Sequence, residues 1–154
     1  MKSVLFVCLG NICRSPAAEG VLRARAKERG VNVTIDSAGT GGWHAGDPPD
    51  ARMMKAAAKR GIDISYQRAR QVDLSDFYQF DYLLAMDLSN HTDLLDMAPP
   101  NRTCDIRLFL DFADCDTRET PDPYYGGHDG FERVLDLIER GAEGFLDYLE
   151  DESA

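Results

Sequence analysis

The chain has 154 residues, of which 44% are hydrophobic and 29% are charged, and its formal net charge is −10 at pH 7. This length predicts one domain, residues 1–154, that buries its own core without disulfides or metals. The negative net charge and the lack of any long Lys/Arg run argue against binding to nucleic acids or to anionic membranes.

The apolar runs are all too short for a signal peptide or a membrane span, so we expect no membrane insertion and a cytoplasmic location. The cysteines of a cytoplasmic protein are reduced by default. No CxxC pair is present and the three histidines are scattered, so the sequence predicts no metal site and no cofactor.

The predicted elements alternate between strands and helices. Short apolar runs predict strands, and apolar residues at helical spacing, bounded by Gly or Pro, predict helices. In chain order they are strand 3–8, helix 16–29, strand 31–36, helix 50–60, a helical turn at 75–80, strand 81–86, helix 87–95, strand 105–110 and helix 131–149.

This alternation predicts an α/β fold of three layers, with a four-stranded parallel sheet between helices. Strands 3–8 and 81–86 are almost continuously apolar, which is typical of central strands, whereas 31–36 and 105–110 alternate like edge strands. The expected strand order is therefore 2-1-3-4. Ligands of such sheets bind beyond the carboxyl ends of the strands, between the first and the third.

The loop at that point, residues 8–16, reads Cys-Leu-Gly-Asn-Ile-Cys-Arg-Ser-Pro. Ser15 and Pro16 are typical of a helix start, with Ser15 as the predicted N-cap. The N-terminus of a helix offers unpaired N–H groups and a partial positive charge to an anion. Gly10 and Asn11 are residue types that tolerate the left-handed backbone of a loop whose amides surround an anion.

Arg14 can hold two phosphate oxygens with its planar guanidinium. The positive field around the loop favours the thiolate form of Cys8, and Ser15 can donate a hydrogen bond to the sulfur. The pattern predicts a nucleophile inside an anion-binding cup, which suits phosphoryl transfer through a phosphocysteine. The pattern G-x4-G-K-[ST] of nucleotide hydrolases is absent.

This loop resembles the signature loop of low-molecular-weight protein tyrosine phosphatases, and the resemblance covers nearly the whole chain and favours a bacterial member. Four further blocks resemble the same family. They are Ser37-Ala38-Gly39-Thr40 with Trp43, Ala69-Arg70-Gln71, Asp81-Tyr82 with Met86-Asp87, and Asp122-Pro123-Tyr124-Tyr125-Gly126.

The resemblance implies a flavodoxin-like fold of the phosphotyrosine phosphatase I type and hydrolysis of phosphotyrosine in proteins and of small aryl phosphates. Cys8 would be the nucleophile, and Arg14 would bind phosphate together with the loop amides. Asp122 would protonate the leaving phenolate and then activate water. From the residues alone, Asp122 is simply a turn aspartate before proline.

The resemblance also implies residues that bind phosphate or support the loop. They are Leu9, Gly10, Asn11, Ile12, Cys13, Ser15 and Asp87. Asp87 is equally typical of a helix N-cap. Cys13 is either a packing residue or the partner of Cys8 in a disulfide formed on oxidation.

Trp43, Tyr124 and Tyr125 would form the walls of the substrate cleft and stack on an aromatic ring. Core packing is the alternative for Trp43. The resemblance implies as partner a phosphotyrosine-bearing protein, a tyrosine kinase among the candidates. The oligomeric state is left open.

One feature departs from the mammalian members, in which a histidine precedes the Ala-Arg-Gln block. Here the stretch reads Tyr66-Gln67-Arg68, and Arg68 and Arg70 are expected at the surface.

Three alternatives stay open. An arsenate reductase of this fold would need resolving cysteines such as Cys104 or Cys115. A protein-arginine phosphatase carries threonine where Ile12 stands. A phosphotyrosine-binding module without turnover would lack Cys8, Arg14 or Asp122.

Overall fold

The computed structural model describes residues 1–123 and 128–153, without the side chains of residues 128, 129 and 153. Within this part of the chain, strands and helices alternate as the sequence predicts. The strands are β1 (Lys2–Cys8), β2 (Val33–Gly39), β3 (Tyr82–Ala85) and β4 (Asp105–Leu108). The helices are α1 (Arg14–Arg29), α2 (Ala51–Lys59), α3 (Asp76–Gln79), α4 (Leu88–Met97) and α5 (His128–Ser153), with a 3₁₀ turn at Phe109–Phe112.

The strands form one parallel sheet in the order β2-β1-β3-β4, which confirms the predicted fold. Cys8 pairs with Gly39 of β2, and Val7 pairs with Ala85 of β3, so the carboxyl ends of three strands meet at one edge. Cys8 is the last residue of β1 at that edge. The loop from β1 to α1 therefore starts at the switch point of the sheet.

Side chains of β1 alternate between two apolar clusters, one on each face of the sheet. Val4 and Phe6 belong to the cluster that α1 and α5 cover, and the Phe6 ring meets Phe109 edge to face at 5.0 Å. Leu5 and Val7 belong to the cluster on the opposite face, with residues of α3 and α4. Burial on both faces explains why β1 is continuously apolar.

Helix starts and ends confirm some predicted boundaries and correct others. The side chain of Asp50 caps α2 by accepting from the N–H groups of Arg52 and Met53, and Asp87 caps α4 in the same way through Asn90. The prediction for Ser15 is wrong: α1 begins at Arg14, and its N-cap, Cys13, makes no side-chain capping bond. Ser15 lies in the first turn, where its hydroxyl is within hydrogen-bond distance of Cys8.

No helix among residues 1–123 and 128–153 combines the length and the apolar character that a bilayer span requires. The fourth strand ends two residues earlier than predicted because the 3₁₀ turn takes over at Phe109. That turn packs against the middle of α5.

Two glycines of α5 make this packing possible. A Cβ atom at Gly141 would lie 2.5 Å from the Phe109 ring, and one at Gly144 would lie 1.9 Å from the carbonyl oxygen of Phe112. The sequence alone marks these glycines as weak points of a helix. The structure shows instead that they let α5 approach the 3₁₀ turn closely.

Gly144→Ala should therefore destabilise the protein, although alanine favours helices. The backbone of Phe112 cannot move aside like a flexible side chain, so we expect a loss of roughly 1–3 kcal/mol in the free energy of unfolding. Gly130→Ala is the matched control, because its Cβ would meet only Pro123 at an ordinary 3.8 Å. The control should change stability by no more than about 1 kcal/mol. Urea denaturation measures both, and equal midpoints for the two variants would contradict the close approach.

Candidate active site

The loop between β1 and α1 is fixed by hydrogen bonds to its outer side. The N–H group of Thr40 donates to the carbonyl of Cys8 at 2.9 Å, and that of Asp50 donates to the carbonyl of Ile12 at 2.8 Å. In a trans peptide the N–H group points opposite to the carbonyl. With these carbonyls turned outward, the N–H groups that follow them point into the loop, where an anion can bind them.

Asn11 takes the left-handed conformation, with φ of 57°, as the sequence predicts. Gly10 does not, and a Cβ atom there would lie 3.1 Å from Cδ2 of His44, a tight contact that the partly exposed histidine can relieve by a small shift. Gly39, at the end of β2, is needed because its Cβ would lie 2.7 Å from the carbonyl oxygen of Leu9. The cup is thus too narrow for a side chain at Gly39.

Two hydrogen-bonding groups surround the buried sulfur of Cys8. The N–H group of Asn11 donates to Sγ at 3.3 Å, and Oγ of Ser15 lies 3.0 Å from Sγ. Both contacts are able to stabilise a thiolate.

Cys13 lies in a different environment, although it belongs to the same loop. Burial, followed by the nearby carboxylate of Asp50 and the sulfur of Cys8, raises the pKa of the Cys13 thiol well above its ordinary value. Cys13 therefore stays protonated at neutral pH. Of the two loop cysteines, only Cys8 has donors aimed at its sulfur among the described contacts.

Arg14 is 3% exposed and is held from two sides. Its Nη1 donates to Oδ2 of Asp87 at 2.6 Å and to the carbonyl of Thr120 at 3.0 Å. Burial alone would lower the pKa of the guanidinium, but Cys8 and Asp87 raise it above its ordinary value. The positive charge stays in place and is directed at the cup, so Asp87 acts both as a helix cap and as the partner of Arg14.

Asp122 reaches the same place from the segment before α5. Its Oδ2 lies 3.7 Å from Nη2 of Arg14, and its side chain is partly exposed. Thr120, two residues earlier, is anchored because its N–H group donates to the carbonyl of Met86 at 2.8 Å. This anchor joins the segment to the end of β3.

Together these groups line a cleft of about 340 Å³. The described residues around it are Cys8, Leu9, Gly10, Ile12, Cys13, Arg14, Trp43, His44 and Asp122. Trp43 is 74% exposed, which rules out the alternative of core packing. Tyr124 and Tyr125, the other predicted wall residues, lie outside the described part of the chain. Neither Cys104 nor Cys115 is among these lining residues.

Some residues around the site could not be recognised from the sequence pattern. His44 lines the cleft, and its Nδ1 lies 3.2 Å from Oδ2 of Asp47. In the sequence, the position of His44 next to Trp43, a predicted wall residue, is the signal that could have identified it. Arg68 is exposed as predicted, but the prediction for Arg70 is wrong. Arg70 is half-buried, pairs with Asp76 at 2.9 Å, and its N–H group donates to Oδ1 of Asn11 at 3.0 Å.

The amides of the loop and the guanidinium of Arg14 are groups that can bind an anion. Among residues 1–123 and 128–153, His, Cys, Asp and Glu side chains form no group of three or more that could hold a metal ion.

Comparison with known proteins agrees with this arrangement. A family model described as low molecular weight phosphotyrosine protein phosphatase matches residues 3–154. The chain is 44% identical to the low molecular weight protein-tyrosine-phosphatase YfkJ of Bacillus subtilis, over 99% of this chain and 98% of the relative.

Solved structures give the same result. A protein tyrosine phosphatase from Entamoeba histolytica, solved with Hepes in the active site, has a TM-score of 0.95, 42% identity and full coverage of both chains. A Drosophila arginine phosphatase has a TM-score of 0.91 and 36% identity, over 97% of this chain and 98% of that one.

Asp87→Ser should weaken anion binding while keeping α4 intact. Serine also caps helices well, so the change mainly removes the carboxylate that holds Arg14. Without that partner we expect inorganic phosphate to bind roughly 10-fold more weakly, since hydrogen bonds to charged groups contribute at this level. Isothermal titration with phosphate measures the affinity. Asp96→Ser removes an exposed charge from the same helix and should change nothing, and equal affinities in both variants would contradict the role of Asp87.

Proposed function

The chain belongs to the low molecular weight phosphotyrosine protein phosphatase family, which makes it a hydrolase, and from this premise we propose that it hydrolyses phosphotyrosine in proteins through a phosphocysteine intermediate. Residues 1–154 act as a single catalytic domain. Cys8 is the nucleophile, Arg14 and the loop amides bind the phosphate, and Asp122 is the general acid and base.

One observation supports this proposal most directly: Cys8, Arg14 and Asp122 line the same cleft. A nucleophilic sulfur, a fixed positive charge and a carboxyl group are the three parts that phosphoryl transfer through cysteine requires. Arg14 neutralises the phosphate as it approaches the thiolate. The amides of the loop bind the equatorial oxygens that gain charge in the transition state.

The reaction takes two steps. In the first, Sγ of Cys8 attacks phosphorus, the bond to the phenolic oxygen breaks, and Asp122 gives its proton to that oxygen. In the second, Asp122 takes a proton from water, the water oxygen attacks phosphorus, and the sulfur leaves as a thiolate with inorganic phosphate as the other product. Ser15 donates a hydrogen bond to the departing sulfur.

An aromatic leaving group fits the walls of the cleft. Trp43 and the apolar side chains of Leu9 and Ile12 lie around the mouth and give a phenyl ring a surface to contact. The chain is similar to the Drosophila arginine phosphatase, so phosphoarginine is a second candidate substrate. Ile12 favours phosphotyrosine, because arginine phosphatases of related bacterial type carry threonine at this point of the loop.

The partner is a phosphotyrosine-bearing protein, for which a tyrosine kinase is one candidate, and no nucleic acid takes part. A thiolate nucleophile works in a reducing compartment, which favours a cytoplasmic location. The four cysteines are free thiols. The reaction requires no cofactor, since Arg14 and the amides supply the charge that a metal would otherwise supply.

The proposal predicts a distinct pattern of loss with aryl phosphates in EDTA. Cys8→Ser should abolish turnover, and Asp122→Ala should lower kcat by roughly 10²–10⁴-fold. The loss in Asp122→Ala should be largest for phenols with a high pKa, because these need protonation on leaving. Cys115→Ser and Asp116→Ala are the matched controls. An active Cys8→Ser would contradict the proposal, and a wild type that binds but does not hydrolyse would favour the binding module.

Ile12→Thr should change the substrate preference. Threonine removes an apolar contact from the ring of tyrosine and adds a hydroxyl that can bond the guanidine of phosphoarginine. We expect the ratio of kcat/KM for phosphoarginine over phosphotyrosine peptides to rise by roughly 10-fold. Leu74→Thr, the same kind of change at an exposed leucine that does not line the cleft, should leave the ratio alone. No change in the ratio for Ile12→Thr would show that Ile12 does not discriminate between the two substrates.

A further inference from the structure

Helix α2 is a basic element in an acidic protein. Residues 51–62 contain Arg52, Lys55, Lys59 and Arg60 and no aspartate or glutamate, although the chain carries a net charge of −10. The field close to α2 is therefore positive, against the negative field of the chain as a whole.

A groove of about 470 Å³ runs between α2 and the beginning of α5, and we call it the α2 groove. The ring of Phe131 is 3% exposed and lines this groove together with Ala51 and Ala56, so the surface between the cations is apolar. The guanidinium of Arg52 lies over the same ring, 4.9 Å from its centroid. This cation–π contact holds the end of the groove that is nearest to the start of α2.

Two lysines of the α2 groove have no partner of their own. Lys55 and Lys59 both line the groove and are exposed. No carboxylate whose side chain the structure describes forms an ion pair with either of them. Two positive charges on one face of α2 are thus left without a counter-charge from the chain.

The carboxylates beside these lysines are already neutralised. Arg60, which follows α2, pairs with Glu132 at 2.9 Å and with Glu139 at 2.7 Å, both on α5. Glu132 is the acidic residue that lines the α2 groove, so its charge is balanced within the protein. Lys55 and Lys59 are therefore available to an anion from outside.

The spacing of the lysines matches an extended acidic peptide. Lys55 and Lys59 are four residues apart, so they lie on the same face of α2, about 6 Å apart along its axis. In an extended peptide, side chains on one side recur at every second residue, about 6.6 Å apart. Two acidic side chains at alternate positions can therefore each meet one lysine.

Both walls of the α2 groove begin at segments of the active site. Asp50, directly before α2, donates its N–H group to the carbonyl of Ile12 in the cup at 2.8 Å. The other wall follows Gly130, where a Cβ atom would lie 3.8 Å from Pro123, the residue after the proposed general acid. The helix from 51 to 59 is about 12 Å long, which about four extended residues span. A substrate chain that leaves the cup along α2 thus reaches the lysines within a few residues.

We propose that the α2 groove is a docking site for an acidic segment of the substrate protein, next to the phosphotyrosine in sequence, with Lys55 and Lys59 pairing with two of its carboxylates. The segment contributes to binding and not to the chemical steps, since no residue of α2 is among the described residues that line the cleft around Cys8. The inference rests on the proposed function, because it takes a phosphotyrosine-bearing protein as the substrate.

Two phosphotyrosine peptides that differ only in their flanks test this docking site. One carries glutamates at alternate positions on both sides of the phosphotyrosine, and the other carries glutamines at the same positions. We expect wild type to prefer the acidic peptide in kcat/KM by roughly 5-fold at low salt, the level of two exposed ion pairs. The preference should lie in KM, because contacts away from the reacting atoms are equal in the ground state and the transition state. It should also shrink as the salt concentration rises.

The double variant Lys55→Gln with Lys59→Gln should lower the ratio for the two peptides to about 1, since both ion pairs are lost. Its kcat for a small aryl phosphate should equal that of wild type, because such a substrate does not reach the α2 groove. Lys55→Glu with Lys59→Glu should go further and favour the glutamine peptide, because like charges then repel the acidic one.

Lys2→Gln with Lys27→Gln is the matched control. It removes two exposed lysines and the same net charge, but Lys2 begins β1 and Lys27 lies in the last turn of α1, both outside the α2 groove. This variant should keep the wild-type ratio.

A wild type without preference, an unchanged ratio in Lys55→Gln with Lys59→Gln, or an equal fall in the control would overturn the inference and leave the proposed function intact. A kcat/KM that depends on enzyme concentration would place the acidic C-terminus of a second copy, residues 150–152, in the groove and would overturn it as well. A wild type that hydrolyses neither peptide, or an active Cys8→Ser, would overturn the proposed function and the inference with it.

Discussion

The buried guanidinium of Arg14 is the constraint on which the rest of the site depends. A cation that is 3% exposed is stable only with partners in fixed positions, and here the partners come from two separate parts of the chain. The carboxylate of Asp87 is supplied by the end of β3, and the carbonyl of Thr120 by the segment before α5. One charge thereby holds the loop, the sheet and the approach to α5 in a single arrangement.

The same arrangement lets an acidic protein bind an anion. The net charge of −10 repels phosphate in general, so the attraction must be local. Outward hydrogen bonds from Thr40 and Asp50 turn the loop carbonyls away and leave N–H groups inside the cup. Within this loop Cys8 and Cys13 differ in chemistry because donors surround the sulfur of one, while burial keeps the other a thiol.

Behind the cup, polar contacts hold the stretch before the Ala-Arg-Gln block. Gln67 is buried, and its Nε2 donates to the carbonyl of Pro16 at 2.9 Å. The positive charge that pairs with Glu19 is Arg23, one turn along the same helix. The hydroxyls of Ser37 and Tyr66 and the guanidinium of Arg23 together satisfy a carboxylate whose burial would otherwise be unfavourable.

The sequence by itself determined the sheet order and the position of the reactive loop, because both follow from local patterns. Continuous apolar runs distinguish central from edge strands, and a cysteine, an arginine and a helix start within nine residues need no distant partner to be recognised.

Only the tertiary structure decided the capping residue of α1, the role of Arg70 and the burial of Glu19. Ser15 is a good cap in isolation, but Asn11 and Cys8 use its hydroxyl instead. Arg70 and Glu19 are charged residues that sequence patterns assign to the surface. Arg70 is half-buried between Asp76, six residues later, and Asp36 on β2, whereas Glu19 is buried against the distant Ser37 and Tyr66. Such contacts depend on how separate elements pack, and no local periodicity records them.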